Sequence, residues 1–317
     1  DAIAAAISTA ADSSLHVVIG ATGGCGSHVV RLLHGRGARV RAAVRNTTRA
    51  RALFPREVDI VQASVTDAPT LASAVQDAEY VIVTTGRRAG DASPKEVELD
   101  GMVNILAAIE AAGGVCRRLV LITSGLVTRP GWRFNLLLNW LADKVLAWKL
   151  EAEKALRASG VPYVVVRPMG LTDDAQGSAT PVIGQGDSFG SGQVDRAVVA
   201  RACVEALSAP TGVSFELKQG GAAEGGADAG GAGFDWQSAL QGLEQDAPIQ
   251  VTFDDHVRVL ERARLVASMM LWGLIFAGFY GCRRCCCGGG ARRDGAAAAG
   301  PSPTAGDDQQ QHNPKRD

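Results

Sequence analysis

Three glycines at regular spacing near the start of the chain are the first residues whose pattern suggests chemistry. Gly20, Gly23 and Gly26 follow the apolar run LHVVI and precede a helix-like stretch. Glycine lets backbone amides approach a phosphate closely, and the N-terminus of a helix attracts negative charge. Such a turn can also serve only to shape the backbone, but a strand before it and a helix after it favour a nucleotide site.

Basic residues stand at the end of the second predicted strand, where a dinucleotide-binding fold contacts the ribose. An NAD-selective site usually carries Asp or Glu there, bonded to the 2′-hydroxyl. Here the strand ends in RVRAAVRN, and Arg45 takes that position, followed by Arg49 and Arg51. Because a guanidinium group matches a phosphate in geometry and charge, we predict NADP rather than NAD as the cofactor. The alternative is a solvated basic loop.

A single lysine falls within an apolar helical stripe in the middle of the chain. At the period of an α-helix, Leu141, Val145, Ala152 and Leu156 share one face, and Lys149 lies among them. An inward-facing ammonium group is costly unless a partner meets its charge. We predict that Lys149 faces a bound ribose or phosphate. The alternative is a lysine that reaches solvent from the edge of the stripe.

Short apolar runs alternate with helix-length segments through about residue 245, and these elements must position the residues above. The runs are apolar on both faces, which is typical of a parallel sheet covered on both sides. The alternation predicts an α/β fold with a doubly wound parallel sheet of the Rossmann type. The predicted strands are residues 15–20, 39–44, 58–63, 80–85, 118–123, 162–168 and 212–217, and the predicted crossover helices include residues 96–112, 136–158 and 194–208.

The composition changes along the chain predict four parts. Residues 1–14 are expected to be a disordered N-terminal segment, and residues 15–245 the Rossmann domain with a Gly-rich loop at 220–233. Residues 254–281 are expected to form a C-terminal helix, and residues 282–317 a disordered tail.

Residues 265–281 carry no charged side chain and are flanked by arginines on both sides. Their length is at the short end for a membrane-spanning helix, roughly 17 residues. Three interpretations stay open: a membrane anchor, a segment that binds a partner, or a helix folded onto the domain. We favour membrane attachment, because a helix that packs on a soluble core is normally apolar on one side only.

Composition and charge argue against several classes of protein. The 317 residues carry a formal net charge of −1, whereas nucleic-acid-binding domains are usually clearly basic. The seven cysteines are scattered or crowded near the C-terminus rather than arranged as a disulfide framework, which favours a reducing compartment. The five histidines have no metal-ligand spacing, so we predict neither a nucleic-acid partner nor a metal site.

Five segments together resemble a known family. VVIGATGGCGSHVVRLLHGRGARVRAAVRN, YVIVTTG, LVLITSG, WKLEAEKALRASGVPYVVVRPMGL and GDSFGSGQVDRAVVARACVEAL are similar to the atypical short-chain dehydrogenase/reductases, NAD(P)-binding proteins of the NmrA-like kind. The resemblance covers about residues 15–245. It is nearest to plant and cyanobacterial members, including proteins of the chloroplast inner envelope. It therefore implies a chloroplast location, at the envelope or thylakoid membrane, with a cytoplasmic location as the alternative.

The resemblance also implies roles for individual residues. Thr123 and Ser124 occupy the place of the active-site serine. Relatives often carry Asp where Ser64 stands. The implied cofactor-binding residues are Gly20, Thr22, Gly23 and Gly26 at the pyrophosphate, Arg45 at the 2′-phosphate, Ser64 and Val65 near the adenine, Thr84, Thr85 and Gly86 along the cofactor, Lys149 at the ribose, and Pro168 and Met169 on the nicotinamide side.

The expected proton donor of the family is missing. Typical short-chain dehydrogenases use Tyr-x-x-x-Lys, in which the lysine holds the ribose and the tyrosine protonates the carbonyl oxygen. Lys149 matches the lysine, but Val145 stands in place of the tyrosine and has no proton to give. Lys149 could itself serve as acid or base while Ser124 orients a carbonyl.

Because the tyrosine is missing, two functions stay open. The first is an NADPH-dependent oxidoreductase that acts on an unknown small molecule, with Lys149, Ser124 and Thr123 as catalytic residues. The second is a non-catalytic, NADP-binding scaffold or redox-sensing assembly factor with a protein partner, tethered to a membrane through residues 265–281.

Overall fold

The computed structural model describes part of the chain. The described residues are 14–286 except 88–89, 91, 114–115, 174–179 and 221–233, with side chains as far as residue 272. The predictions for residues 1–13, for most of the Gly-rich loop and for residues 287–317 lie outside this part.

Ten strands and nine α-helices are present among the described residues. The strands are β1 (Leu15–Ile19), β2 (Arg39–Val44), β3 (Asp59–Gln62), β4 (Tyr80–Val83), β5 (Arg118–Ile122), β6 (Tyr163–Pro168), β7 (Gly170–Thr172), β8 (Pro181–Gly184), β9 (Gln193–Asp195) and β10 (Val213–Gln219). The helices are α1 (Gly24–Gly35), α2 (Thr47–Leu53), α3 (Ala68–Val75), α4 (Gly101–Ala111), α5 (Arg133–Leu141), α6 (Val145–Ala158), α7 (Arg196–Glu205), α8 (Trp236–Gln241) and α9 (Phe253–Cys286). A π-helix, Lys95–Asp100, leads into α4, and a 3₁₀ turn, Ala206–Ser208, follows α7.

Eight of the strands form one sheet in the order β3-β2-β1-β4-β5-β6-β10-β8. Every neighbouring pair is parallel except β10 and β8. The strand order reverses between β1 and β4, so a crevice opens at their carboxyl ends. The predicted doubly wound sheet is confirmed. The short strands β7, β8 and β9 were not predicted, because each has at most four residues and little periodicity.

Alternate residues of each central strand pack on opposite faces of the sheet. Val18 and Ile82 face a core shared with α1 and α7, whereas Val17 and Val83 face a second core shared with α4 and α6. These side chains are almost completely buried. This two-sided burial explains why the strands are apolar throughout.

The helix predicted over residues 136–158 is two helices. Asp143 and Lys144 have positive φ angles of 46° and 61°, which end α5 and let α6 start in a new direction. As a result, Leu141 does not share a stripe with α6: it is 73% exposed, whereas Leu156 is fully buried. The predicted stripe was therefore wrong at Leu141, because periodicity alone cannot detect a break in direction.

The C-terminal helix α9 runs without interruption over Phe253–Cys286. The described residues form two units that divide within this helix, after Leu265. The apolar side chains of Leu265, Val266 and 269–272 are exposed. No helix within the described residues has a stretch long and apolar enough to span a bilayer.

Candidate functional site

The glycine turn after β1 depends on glycine at two positions. Gly20 has a φ of 83°, and a Cβ atom there would lie 3.0 Å from the Thr85 side chain. At Gly26, in the first turn of α1, a Cβ atom would overlap the Gly20 carbonyl oxygen. Gly23 precedes α1 and donates its amide to that same oxygen at 2.8 Å. The turn therefore holds the N-terminus of α1 against the ends of β1 and β4.

Thr84 fixes this turn from the neighbouring strand. Its hydroxyl donates to the carbonyl oxygens of Ile19 at 3.0 Å and Gly20 at 3.2 Å. The sequence predicted that Thr84 contacts a cofactor. The residue does line the cleft, but its hydroxyl is occupied by the turn. Thr84 therefore shapes the turn.

A first cleft of about 240 Å³ opens at the carboxyl ends of β1, β2, β3 and β4. Most of the residues predicted to bind the cofactor line it, and no carboxylate belongs to its described lining. The predicted residues at this cleft are Gly20, Thr22, Gly23, Arg45, Ser64, Val65, Thr84, Thr85 and Gly86.

Two exposed arginines stand at the rim of the first cleft. Arg45 directly follows β2, and Arg49 lies within α2. The Asn46 side chain accepts the Arg49 amide at 2.8 Å and so fixes the start of α2. The rim is therefore positively charged at the place predicted for a 2′-phosphate.

The far wall of the first cleft is formed by Ser64 and Val65, which follow β3, and is held by one local and two longer-range contacts. The Ser64 hydroxyl lies 3.0 Å from the Thr66 hydroxyl, and the Val65 carbonyl accepts the Asn104 side-chain amide at 2.9 Å. Val65 is buried against Gly101, where a Cβ atom would approach it to 2.9 Å. This wall offers an apolar surface and a hydroxyl, but no carboxylate.

A second cleft of about 550 Å³ continues from the first at the ends of β4, β5 and β6. The two clefts share Gly23, Thr84, Thr85 and Gly86. Phe134, Leu138, Val145, Met169 and Leu171 make an apolar wall. The segments 86–95, 126–140 and 170–193 each contribute residues to this cleft.

Lys149 lies in the second cleft and is held by a carboxylate that the sequence did not reveal. Its Nζ atom is 2.7 Å from Glu98 Oε2, with side-chain exposures of 13% and 6%. The other oxygen of Glu98 accepts the Arg87 amide at 2.8 Å. The charge of Lys149 is thus met within the protein, beside Gly86 of the shared wall. Glu98 is one of three acidic residues in KEVELD, so its type and spacing gave no signal of its burial.

Thr123 and Ser124, adjacent after β5, differ in what their hydroxyls can do. The Thr123 hydroxyl donates to Glu153 at 2.7 Å in the buried interior, so the prediction that Thr123 acts on substrate does not fit its bonding. Ser124 is partly exposed in the second cleft, and its hydroxyl contacts only the adjacent Gly125 carbonyl, at 3.1 Å, among the described residues. Ser124 is the hydroxyl that can meet a ligand.

A buried network stands behind these residues. Arg167 of β6 pairs with Glu153 of α6 at 2.6 Å and lies 3.6 Å from Glu216 and 4.0 Å from Asp187. Burial alone would lower the pKa of Arg167, but the surrounding carboxylates raise it above its ordinary value. Burial raises the pKa of Glu216. The Asp187 carboxylate accepts the Leu126 amide at 2.7 Å, so the network fixes the loop that carries Ser124.

No tyrosine lines the second cleft among the described residues. Val145 begins α6 and lines the cleft one helical turn before Lys149, in the place of the usual tyrosine. Tyr163 lies in β6 and donates its hydroxyl to Asp246 at 3.1 Å. Burial raises the pKa of Tyr163 to about 12. Proton transfer at this cleft would therefore have to use another group.

Pro168 and Met169 close the second cleft at the end of β6. Both are buried, and the Met169 sulfur packs against Gly125, where it leaves no room for a side chain. The Met169 amide donates to the Leu217 carbonyl at 2.9 Å, which holds this segment against β10. The segment thus forms a fixed floor beside Ser124.

The strand order, the glycine turn at the strand reversal and the positively charged rim define a class: NAD(P)-binding proteins with an oxidoreductase-like Rossmann fold. The chain belongs to the family described as NAD(P)H-binding, whose model matches residues 20–210. The resemblance predicted from the sequence is confirmed.

Two plant proteins are similar to the chain. An uncharacterized chloroplastic protein of Arabidopsis thaliana, At2g34460, is 35% identical over 204 residues, which cover 60% of this chain and 70% of the relative. Protein TIC 62, chloroplastic, of Pisum sativum is 31% identical over 214 residues. That match covers 60% of this chain and only 39% of the relative.

Solved structures show the same fold. The short-chain dehydrogenase/reductase of Veillonella parvula in complex with NADP has a TM-score of 0.53 at 20% identity, covering 66% of this chain and 95% of that one. ChuY, an anaerobillin reductase from Escherichia coli O157:H7, has a TM-score of 0.54 at 25% identity. That match covers 65% of this chain and 97% of ChuY.

Proposed function

We propose that the protein is an NADPH-dependent oxidoreductase that binds the cofactor along the first cleft and a small-molecule acceptor in the second. The observation that carries the choice of NADPH is the charge of the first cleft. Arg45 and Arg49 line its rim, and its described lining includes no Asp or Glu. A 2′-phosphate would meet guanidinium groups there, whereas a ribose 2′-hydroxyl would find no carboxylate.

The residues of the second cleft fit the reduction of a carbonyl or a similar acceptor. Bound NADPH would supply a hydride. Ser124 would donate its hydroxyl to the carbonyl oxygen and orient it. Lys149 would supply the proton that the reduced oxygen takes up, and Glu98 would hold the lysine in place. The apolar wall favours an acceptor with an apolar body.

Nucleotide titration tests the cofactor assignment. We expect NADPH to bind more tightly than NADH. Arg45→Ala should reduce NADPH affinity by roughly 10-fold or more, because it removes a charge-assisted contact with the phosphate. NADH affinity should stay unchanged. Equal affinity for the two nucleotides in both proteins would contradict the choice of NADP.

A second candidate function is favoured by one observation, the presence of Val145 where a tyrosine would protonate the acceptor. In this case the protein binds NADP(H) and serves as a scaffold or redox-sensing factor without turnover. NADPH oxidation with a panel of apolar carbonyl and quinone acceptors distinguishes the two. Turnover that is lost in Lys149→Met supports the reductase, and tight NADPH binding without any turnover supports the scaffold.

We also propose a chloroplast location, supported by the names of the two plant relatives. The exposed apolar side chains Leu265, Val266 and 269–272 of α9 follow Arg262 and Arg264. That pattern suits attachment to the surface of an anionic membrane. Chloroplast fractionation tests the location. Flotation with anionic vesicles, using Leu265→Asp together with Met269→Asp as the negative variant, tests the attachment.

A further inference from the structure

A glycine in the first turn of α1 makes room for an arginine from a distant helix. Arg196 is the first residue of α7, and its side chain lies across Gly24. A Cβ atom at position 24 would lie 2.5 Å from Arg196 Cδ and 2.8 Å from Nε. The guanidinium group therefore occupies space over α1 that a side chain at residue 24 would otherwise fill. Arg196 and Gly24 both line the second cleft, next to the shared Gly23.

The positive charge of Arg196 is poorly neutralised by the described protein. Its Nη1 atom is 2.7 Å from Asp173 Oδ2, but the Asp173 side chain is 78% exposed. Such exposed pairs contribute little to stability. Asp195 uses its carboxylate to accept the Ala197 amide at 2.6 Å and so caps α7. Burial raises the pKa of the nearby Cys25 thiol to about 11, so this thiol supplies no negative charge at neutral pH.

Within the described part of the chain, Arg196 has no ion-pair partner besides Asp173. Gly23 precedes α1 and has no side chain to cap the free amides of the first turn. A guanidinium group and the positive end of a helix thus lie together, which is favourable only when an anion sits between them.

We propose that Arg196 is a cofactor-binding residue whose guanidinium pairs with the pyrophosphate of the bound nucleotide, over Gly24 and beside the turn at Gly23. The inference rests on the proposed binding of NADP(H). Arg196 leaves the exposed carboxylate of Asp173 for the pyrophosphate, which carries more charge and lies against the helix terminus. Arg45, which follows β2, would thus hold the 2′-phosphate of the cofactor, and Arg196 of α7 would hold its pyrophosphate.

Binding of NADPH and of adenosine 2′-phosphate to the full chain tests this assignment, because the second compound lacks the pyrophosphate. We expect Arg196→Ala to weaken NADPH binding by roughly 10- to 100-fold and to leave adenosine 2′-phosphate unchanged. Arg201→Ala is the matched control, since Arg201 lies on the same helix and pairs with Glu205 away from the cleft. Asp173→Asn should tighten NADPH binding by roughly two- to fivefold, because it removes the competing carboxylate.

A double-mutant cycle addresses the role of Gly24. Gly24→Ala should displace Arg196 and weaken NADPH binding, but it should add nothing in the Arg196→Ala background. Full additivity of the two changes would show that Gly24→Ala acts on the nucleotide without moving Arg196, and it would overturn the role of Gly24 in placing the guanidinium group.

Two further outcomes would overturn it. One is NADPH affinity of Arg196→Ala within twofold of the wild type. The other is equal loss of adenosine 2′-phosphate binding, which would make the effect structural. A wild-type chain that binds neither NADPH nor NADH would instead overturn the proposed function itself, so the two failures are distinguishable.

Discussion

The first and second clefts share a wall but are built in opposite ways. Much of the first cleft is made by backbone, glycines and hydrogen bonds between near neighbours, as at Ser64 and Thr66 or Asn46 and Arg49, although Thr84 also fixes the glycine turn from the end of β4. The second depends on pairs far apart in sequence, such as Lys149 with Glu98. The comparison teaches that affinity for a nucleotide can be encoded locally, whereas the chemistry at its reactive end depends on the tertiary fold.

Removal of Arg167 should produce the largest effect, because the second cleft is supported by its buried charge. Arg167→Met removes the cation shared by the carboxylates of Glu153, Asp187 and Glu216, and among the described residues only Arg157, 3.8 Å from Glu153, is left as an ion-pair partner. We expect a loss of about 3–5 kcal/mol in the free energy of unfolding, measured by urea denaturation at neutral pH.

Arg201→Met provides the control for Arg167→Met. Arg201 pairs with Glu205 at the surface, so its loss should cost less than about 1 kcal/mol. Equal losses in the two variants would show that the buried network does not support the second cleft, and the proposed difference between the clefts would not hold.

Gly26→Ala tests what supports the first cleft, as Arg167→Met does for the second. The added methyl group would overlap the Gly20 carbonyl and lie 2.6 Å from the Thr84 hydroxyl, atoms that the turn holds in place. We expect a stability loss of about 1–3 kcal/mol and no measurable NADPH binding.

Gly35→Ala is the matched control for Gly26→Ala. Gly35 ends the same helix, and a Cβ atom there would meet nothing within 4 Å. The change should be neutral or stabilising by up to about 1 kcal/mol, with unchanged binding. NADPH affinity retained in Gly26→Ala would show that the turn tolerates a side chain and does not need its close contacts.

Features built from residues close together in the chain could be predicted from the sequence, whereas those built from distant residues could not. Gly20, Gly23 and Gly26 lie within one strand–turn–helix unit, so their spacing alone indicates the nucleotide turn, and the apolar runs indicate the sheet. Glu98 and Arg196 could not be paired with Lys149 and Gly24, because only the crossover connections bring them together.

The prediction for Thr123 did not fit its bonding for a similar reason. Its hydroxyl bonds to Glu153, which lies on a later helix. The break at Asp143 and Lys144 depends on left-handed backbone conformations that apolar periodicity does not report.

Lys149→Met has an intermediate effect and tests whether the lysine has a role beyond stability. The variant leaves the buried Glu98 carboxylate with the Arg87 amide as its described partner, at a cost of about 1–2 kcal/mol. Addition of Glu98→Gln should recover most of the stability, because the uncompensated charge is gone. NADPH oxidation should stay lost in the double variant. Recovery of turnover together with stability would assign Lys149 a structural role only.

Glu216→Gln should have the smallest effect, and its sign depends on pH. Because burial raises the folded-state pKa of Glu216 above 4.5, the stabilisation from its protonated form is complete below pH 4.5 and is lost as pH rises through the folded-state value. Gln keeps the neutral form at every pH. The variant should therefore be more stable than the wild type at pH 8, by about 1 kcal/mol or less, and should lose this advantage near pH 4. Gly35→Ala, which adds a methyl group with nothing within 4 Å, should shift stability equally at both pH values. A pH-independent difference for Glu216→Gln would mean that the Glu216 carboxyl does not titrate in this range.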